Sequence, residues 1–203
     1  MLDQDFYKTL EAPTEEVLFK DKNSKFFGYA YPVTTEDEIK DIIDTIKKQH
    51  YNARHWCYAW QLGTETIHYR ANDDGEPNNS AGMPIYGQIQ SFEITNVLII
   101  VVRYFGGIKL GVPGLINAYR TTAQIALEEA QIIEKTIDAV YKINFEYKDI
   151  NNVMRIIKEK NLNIISQKME MNCEIIFSIR KSEAEISEAA FVPYYEIILK
   201  RIS

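Results

Sequence analysis

Along this chain the spacing of apolar positions changes period several times, and each change predicts an element. "EVLFKDKNSKFFGYAYPV" (16–33) is rich in aromatic and β-branched residues and reads as strand, turn at Asp21 to Ser24, strand. Ile39, Ile42, Ile43 and Ile46 then recur at helical spacing. Thr34 or Thr35 stands where a cap is needed, and Glu36, Asp37 and Glu38 suit the positive end of a helix that should stop near His50. "RHWCYAWQLG" and "ETIHYRAND" are strand-like runs joined at Gly63-Thr64, and they deliver the chain to a polar loop, "NDDGEPNNSAG" (72–82). A weaker helical segment around Pro84–Ser91 leads to an apolar strand at 96–104, a glycine-rich connection "RYFGGIKLGVPG" (103–114), and a long helix expected to reach about Glu134.

Beyond residue 134 the pattern restarts: strand, helix, two strands, a short helix at 182–191 and a last strand at 194–202. That is the β-α-β-β-α-β order of ferredoxin-like modules, so the chain reads as an α+β protein with domains at 1–133 and 134–203. The 203 residues, 46% hydrophobic, can bury a real core. No apolar run approaches the roughly 20 residues needed to cross a bilayer, and the N-terminus lacks the basic-then-apolar pattern of a secretory signal. Cys57 and Cys173 lie far apart in strand-like runs and read as buried free thiols, which fits a cytoplasmic location.

The net charge of −6 falls entirely before residue 134. A bulk polyanion binder is expected to be basic, so any nucleic-acid contact must be local. The glycine connection is the place to look: a strand, glycines and a helix start can present backbone N–H groups to an anion, with Arg103 and Lys109 adding charge. It matches neither dinucleotide nor P-loop spacing. A purely geometric use of Gly106, Gly107, Gly111 and Gly114 stands beside that reading, with Pro113 in the first helical turn. For the polar loop, Asp73, Asp74 and Glu76 offer oxygens to a hard cation, but "NDDGEP" is also good turn chemistry. His55 and Cys57 lie two apart on one strand, about 6.5–7 Å, too far for a nucleophile and its base. No complete catalytic set, metal motif or cofactor motif is legible.

"ARHWCYAW" (53–60), "NDDGEPNNSAGMPI" (72–85) and "VVRYFGGIKLGVPGLINAY" (101–119), in that order and spacing, resemble the YigZ/IMPACT family over the whole chain. The resemblance implies an N-terminal domain like the second domain of ribosomal protein S-five and a C-terminal module like the last domain of elongation factor G. It also implies a link to translation or its regulation, since eukaryotic relatives act by binding a protein that activates an eIF-two kinase. Family motif positions fall on Arg54, His55, Asp73, Asp74, Gly75, Glu76, Pro77, Gly82, Pro84, Arg103, Tyr104, Phe105, Gly106, Gly107, Lys109 and Gly111. Trp56 departs from the pattern, and "NNSAGMP" lacks the basic side chain expected near Met83.

The resulting expectation is a non-enzymatic binding protein whose partner is RNA, the ribosome or a translation-associated protein. Arg54, Arg103, Gly106, Gly107, Lys109 and Gly111 would contact phosphate or a partner carboxylate, while Asp73, Asp74 and Glu76 would organise the loop, pair with those cationic side chains or bind a cation. The competing expectation is an enzyme or binder acting on a phosphorylated or nucleotide-like small molecule through the loop at 106–114.

Overall fold

The structure, a computed structural model, describes residues 5–202. Its contacts divide the chain into two compact units, Tyr7–Lys135 and a second made of residues 136–202 with Asp5 and Phe6. Both mix helices with antiparallel sheets, so the fold is α+β.

β1 (Phe6–Leu10), in the first unit from Tyr7 on, precedes β2 (Val17–Asp21) and β3 (Ser24–Pro32), which form a hairpin. Lys22 and Asn23 turn it with φ of 42° and 65°, the paired positive values that match strand twist in a two-residue connection. Helix α1 (Glu36–Gln49) is capped by Thr35, whose hydroxyl accepts the Glu38 N–H while the Glu38 carboxylate reaches back to the Thr35 N–H. Then follow β4 (His55–Leu62), β5 (His68–Asn72), α2 (Gly82–Ser91), β6 (Val97–Tyr104), α3 (Gly111–Glu128) and β7 (Ile132–Thr136).

Five strands make one sheet in the order β2-β3-β6-β4-β5. β6 is its centre and is buried from Val97 to Arg103, because both faces are covered. Val97, Ile99 and Val101 pack with Phe26, Ala30, Cys57 and Ala59 against α2 and α3. Leu98, Ile100 and Val102 pack on the other face with Tyr29, Trp60, Ile39 and Ile46 of α1. The aromatic stripe Trp56, Tyr58, Trp60 lies on this α1 face.

One expectation changes here. Helix α3 ends at Glu128 rather than near residue 134, because Ile132 and its neighbours leave the helix to pair with β1, and the Glu11 N–H bonds the Gln131 carbonyl at 2.9 Å. No glycine or proline marks that stop, and strand pairing overrides a helix-compatible sequence. β1 itself was not anticipated.

The second unit runs β8 (Asp138–Glu146), α4 (Ile150–Glu159), β9 (Asn163–Lys168), β10 (Asn172–Arg180), α5 (Ala184–Phe191) and β11 (Ile198–Arg201), with single 3-10 turns before each helix. Its sheet order is β11-β8-β10-β9. Tyr141, Ile143, Phe145, Ile175 and Phe177 point to a core completed by Val153, Ile156, Ile157 and Phe191 of the two helices. Arg180 holds Asp5 through two N–H donors at 2.6 and 3.1 Å.

Candidate functional site where two motif loops meet

The polar loop between β5 and α2 is organised by its own carboxylates. Asp73 Oδ1 accepts the N–H groups of Ala81 and Gly82, each at 2.9 Å, and Oδ2 accepts that of Asn79 at 2.8 Å. The charge thereby caps α2, which has no capping side chain of its own at Ala81. Asp74 Oδ2 accepts the Trp56 N–H at 2.7 Å, tying the loop to the start of β4. Among the described residues no three His, Cys, Asp or Glu are grouped to hold a metal ion.

His55 and Cys57 serve the same loop from the sheet. The Asp74 carbonyl accepts His55 Nδ1–H at 2.9 Å, which fixes the tautomer, and the Asp73 carbonyl accepts the Cys57 thiol at 3.0 Å. Burial pushes the Cys57 thiol well above its ordinary range, against a smaller opposite pull from Tyr119. It is therefore a buried hydrogen-bond donor rather than a thiolate.

Glu76 turns inward. Only 5% of its side chain is exposed, against 7% for Arg103, and the Arg103 Nη1–H donates to Glu76 Oε1 at 2.7 Å. Tyr119 of α3 donates its O–H to the same oxygen at 2.8 Å, and burial, the largest cause, drives its own ionisation far out of reach. The guanidinium carbon stands over the rings of Phe26 and Phe105, 5.6 and 5.4 Å from their centroids. The two motif loops do converge, joined by a buried ion pair 27 positions apart in sequence. This corrects the expectation for Arg103: its charge is committed to Glu76 and is not offered to a phosphate. Of the roles expected for Glu76, it takes that of partner to a cationic side chain rather than that of an oxygen ligand for a metal ion.

The glycine connection is largely geometric. A Cβ on Gly106 would stand 2.0 Å from the Asn23 carbonyl carbon, in the backbone of the β2–β3 turn, and the Gly106 N–H donates to Ser24 Oγ at 3.2 Å. Gly107 and Gly111 have φ of 87° and 71°. Of the amides starting α3, Pro113 has none to give. What faces outward is different: Arg54 and Lys109 are exposed and carry no ion pair among the described residues. Phe105, Ile108 and Val112 stand exposed beside Lys109, by 53, 48 and 45%.

A second polar cluster, built around His50, lies on the α1 face. His50 closes α1 and is buried between Tyr29 of β3 and Tyr104 of β6, with Nε2 at 2.5 Å from one hydroxyl and Nδ1 at 3.1 Å from the other. Tyr29 O–H also meets the Glu16 carboxylate. Burial is the main cause that pulls the His50 pKa down, and Glu16 pulls it back less. The unfolded chain therefore takes up this proton more readily than the folded one. The stability that neutral His50 confers is complete above the unfolded value of about 6.5 and is lost as pH falls through the lower folded value. Thermal unfolding followed from pH 7 downward should show a steeper loss below pH ~6.5 for the wild type than for His50→Gln. Equal slopes would show that another group carries the transition.

By fold this is a mixed α+β protein, and it superposes with a TM-score of 0.75 on a solved structure of a hypothetical protein, at 24% identity over 98% of both chains. The chain belongs to the IMPACT family: the Impact N-terminal domain matches residues 22–127. It is 32% identical over 154 residues to the IMPACT family member YvyE of Bacillus subtilis, covering 76% of this chain and 70% of that relative. An IMPACT family member of Haemophilus influenzae is 30% identical over 177 residues, 85% of this chain and 86% of that one.

Proposed function

We propose that this chain is a non-enzymatic binding protein linked to translation or its regulation, and that its N-terminal unit docks a translation-associated protein through the outward side of the glycine connection. The observation that carries the reading is the exposure of Phe105, Ile108 and Val112 around Lys109 while Arg103 is turned inward. A phosphate cradle needs clustered outward cations and free amides. Here the Gly106 amide is taken by Ser24, and apolar side chains ring a single lysine, which suits a protein surface better. Arg54 supplies a second outward charge at the sheet end that His55 and Arg103 share by register.

The translational part of the proposal rests on the family. The finer architecture belongs to it too: an N-terminal unit like the second domain of ribosomal protein S-five, and a β-α-β-β-α-β unit like the last domain of elongation factor G.

Cosedimentation of the purified chain with ribosomal fractions tests it. The wild-type chain is expected to associate in a manner that survives ribonuclease and changes little with salt, and Phe105→Ser/Ile108→Ser/Lys109→Glu is expected to abolish association. Association that needs intact RNA and falls steeply with salt would overturn the protein reading in favour of RNA.

A further inference from the structure

The α1 face of the N-terminal unit ends in a concavity of about 490 Å³, a size usual for small-ligand sites, into which Glu16, Lys25, Phe27, His50, Tyr104 and Phe105 converge. Neither the partner surface nor the ion pair joining the loops uses it, except that Phe105 borders both.

The hydrogen bonds behind its wall have a fixed direction. The Glu16 carboxylate only accepts, so Tyr29 donates its O–H there and must accept from His50; Gln49 also donates to the Tyr29 oxygen, at 3.3 Å. His50 therefore carries its proton on Nε2, its Nδ1 is the acceptor, and Tyr104 donates its O–H to that nitrogen. With its proton committed inward, the Tyr104 oxygen keeps acceptor capacity toward the concavity. Glu16 keeps Oε1, which has no hydrogen-bond partner among the described residues, and its side chain is 40% exposed.

Two acceptors thus stand together beside three aromatic rings. Phe27 and Tyr104 meet edge to face with centroids 5.6 Å apart, Phe27 lies 5.2 Å from the His50 ring, and Phe105 is half exposed at the border. Acceptors, a carboxylate and ring faces favour an ammonium group. On β3, next to Tyr104 in register, Lys25 supplies the opposite charge and has no ion pair among the described residues. With His50 neutral, Glu16 and Lys25 balance, so the lining matches a ligand carrying one charge of each sign rather than a phosphate dianion or a bare cation.

We infer that this concavity binds a zwitterion with an aromatic body, the class of an aromatic α-amino acid: its ammonium on Glu16 and the Tyr104 oxygen, its carboxylate on Lys25, its ring against Phe27 and Phe105. The groups facing His50 are Tyr29, Tyr104 and Glu16, with Lys25 across the concavity. Protonating His50 makes Nδ1 a donor and turns the Tyr104 O–H outward, replacing an acceptor by a donor where the ammonium sits.

Titration calorimetry on the full chain tests this with four probes: L-phenylalanine, phenethylamine without the carboxylate, N-acetyl-L-phenylalanine without the cation, and adenosine monophosphate. L-phenylalanine is expected to bind at least tenfold more tightly than the other three. Glu16→Gln and Lys25→Met are each expected to weaken it about tenfold, and lowering the pH from 7.5 to 5.5 should weaken it as well. Glu16 and Lys25 lie at the surface, so either variant alone suffices if the other folds poorly. Equal binding of phenethylamine would overturn the zwitterion in favour of a plain cation site. Preferred binding of the nucleotide, or no heat with any probe, would overturn the site.

Discussion

Arg103→Ala is expected to destabilise the N-terminal unit by about 3–5 kcal/mol, the usual result of removing one partner from a buried ion pair. The cost arises less from the lost attraction than from what remains. The Glu76 carboxylate, 8% exposed as a residue, would keep Tyr119 as its one side-chain donor among the described residues, and the rings of Phe26 and Phe105 would lose the guanidinium beside them. Arg103→Met combined with Glu76→Gln should recover much of the loss, because replacing both charges avoids an uncompensated one. Both tryptophans, Trp56 and Trp60, lie on β4, so urea unfolding followed by their fluorescence reports this unit. A single-variant cost under about 1 kcal/mol is what an exposed pair gives, and it would contradict the burial described here.

Gly106→Ala and Gly107→Ala should differ sharply although the two glycines are neighbours. At Gly106 the added carbon would meet three backbone atoms, Asn23 C at 2.0 Å, Asn23 O at 2.2 Å and Ser24 N at 2.3 Å, and none is the free end of a side chain. The β2–β3 turn or the glycine connection must move, and a cost above about 4 kcal/mol, or failure to fold, is expected. At Gly107 nothing lies within 4 Å and only the φ of 87° opposes a side chain, so about 1–2 kcal/mol is expected. The same fluorescence-monitored unfolding ranks the two, and a reversed order would show that the connection does not rest on the turn.

That contrast also marks what could be read from residues alone. Helix α1 was legible through its isoleucine stripe, acidic first turn and Thr35, since every one of those signals is local. The strands of the second unit were legible for the same reason. β1 and β7 were not, because each is made a strand by pairing with a segment more than a hundred residues away. The convergence of the two motif loops followed from motif content, but the inward turn of Arg103 depends on register. One signal did point to it: with a period of two, Val97, Ile99, Val101 and Arg103 share a face, so a charge that continues a buried stripe requires a buried partner. Parity likewise places Lys25, Phe27 and Tyr29 on one side of β3, but only folding brings His50 and Tyr104 beside them.

The central claim is that Arg103 and Glu76 lock the two motif loops from within, leaving an apolar rim around Lys109 to meet a protein. A photo-crosslinking residue placed at Ile108 in living cells tests it most directly, with the same residue at exposed Tyr51 as control. The account predicts a discrete protein adduct at position 108 that resists ribonuclease and is absent from position 51. Adducts to RNA at position 108, or identical products from both positions, would contradict it.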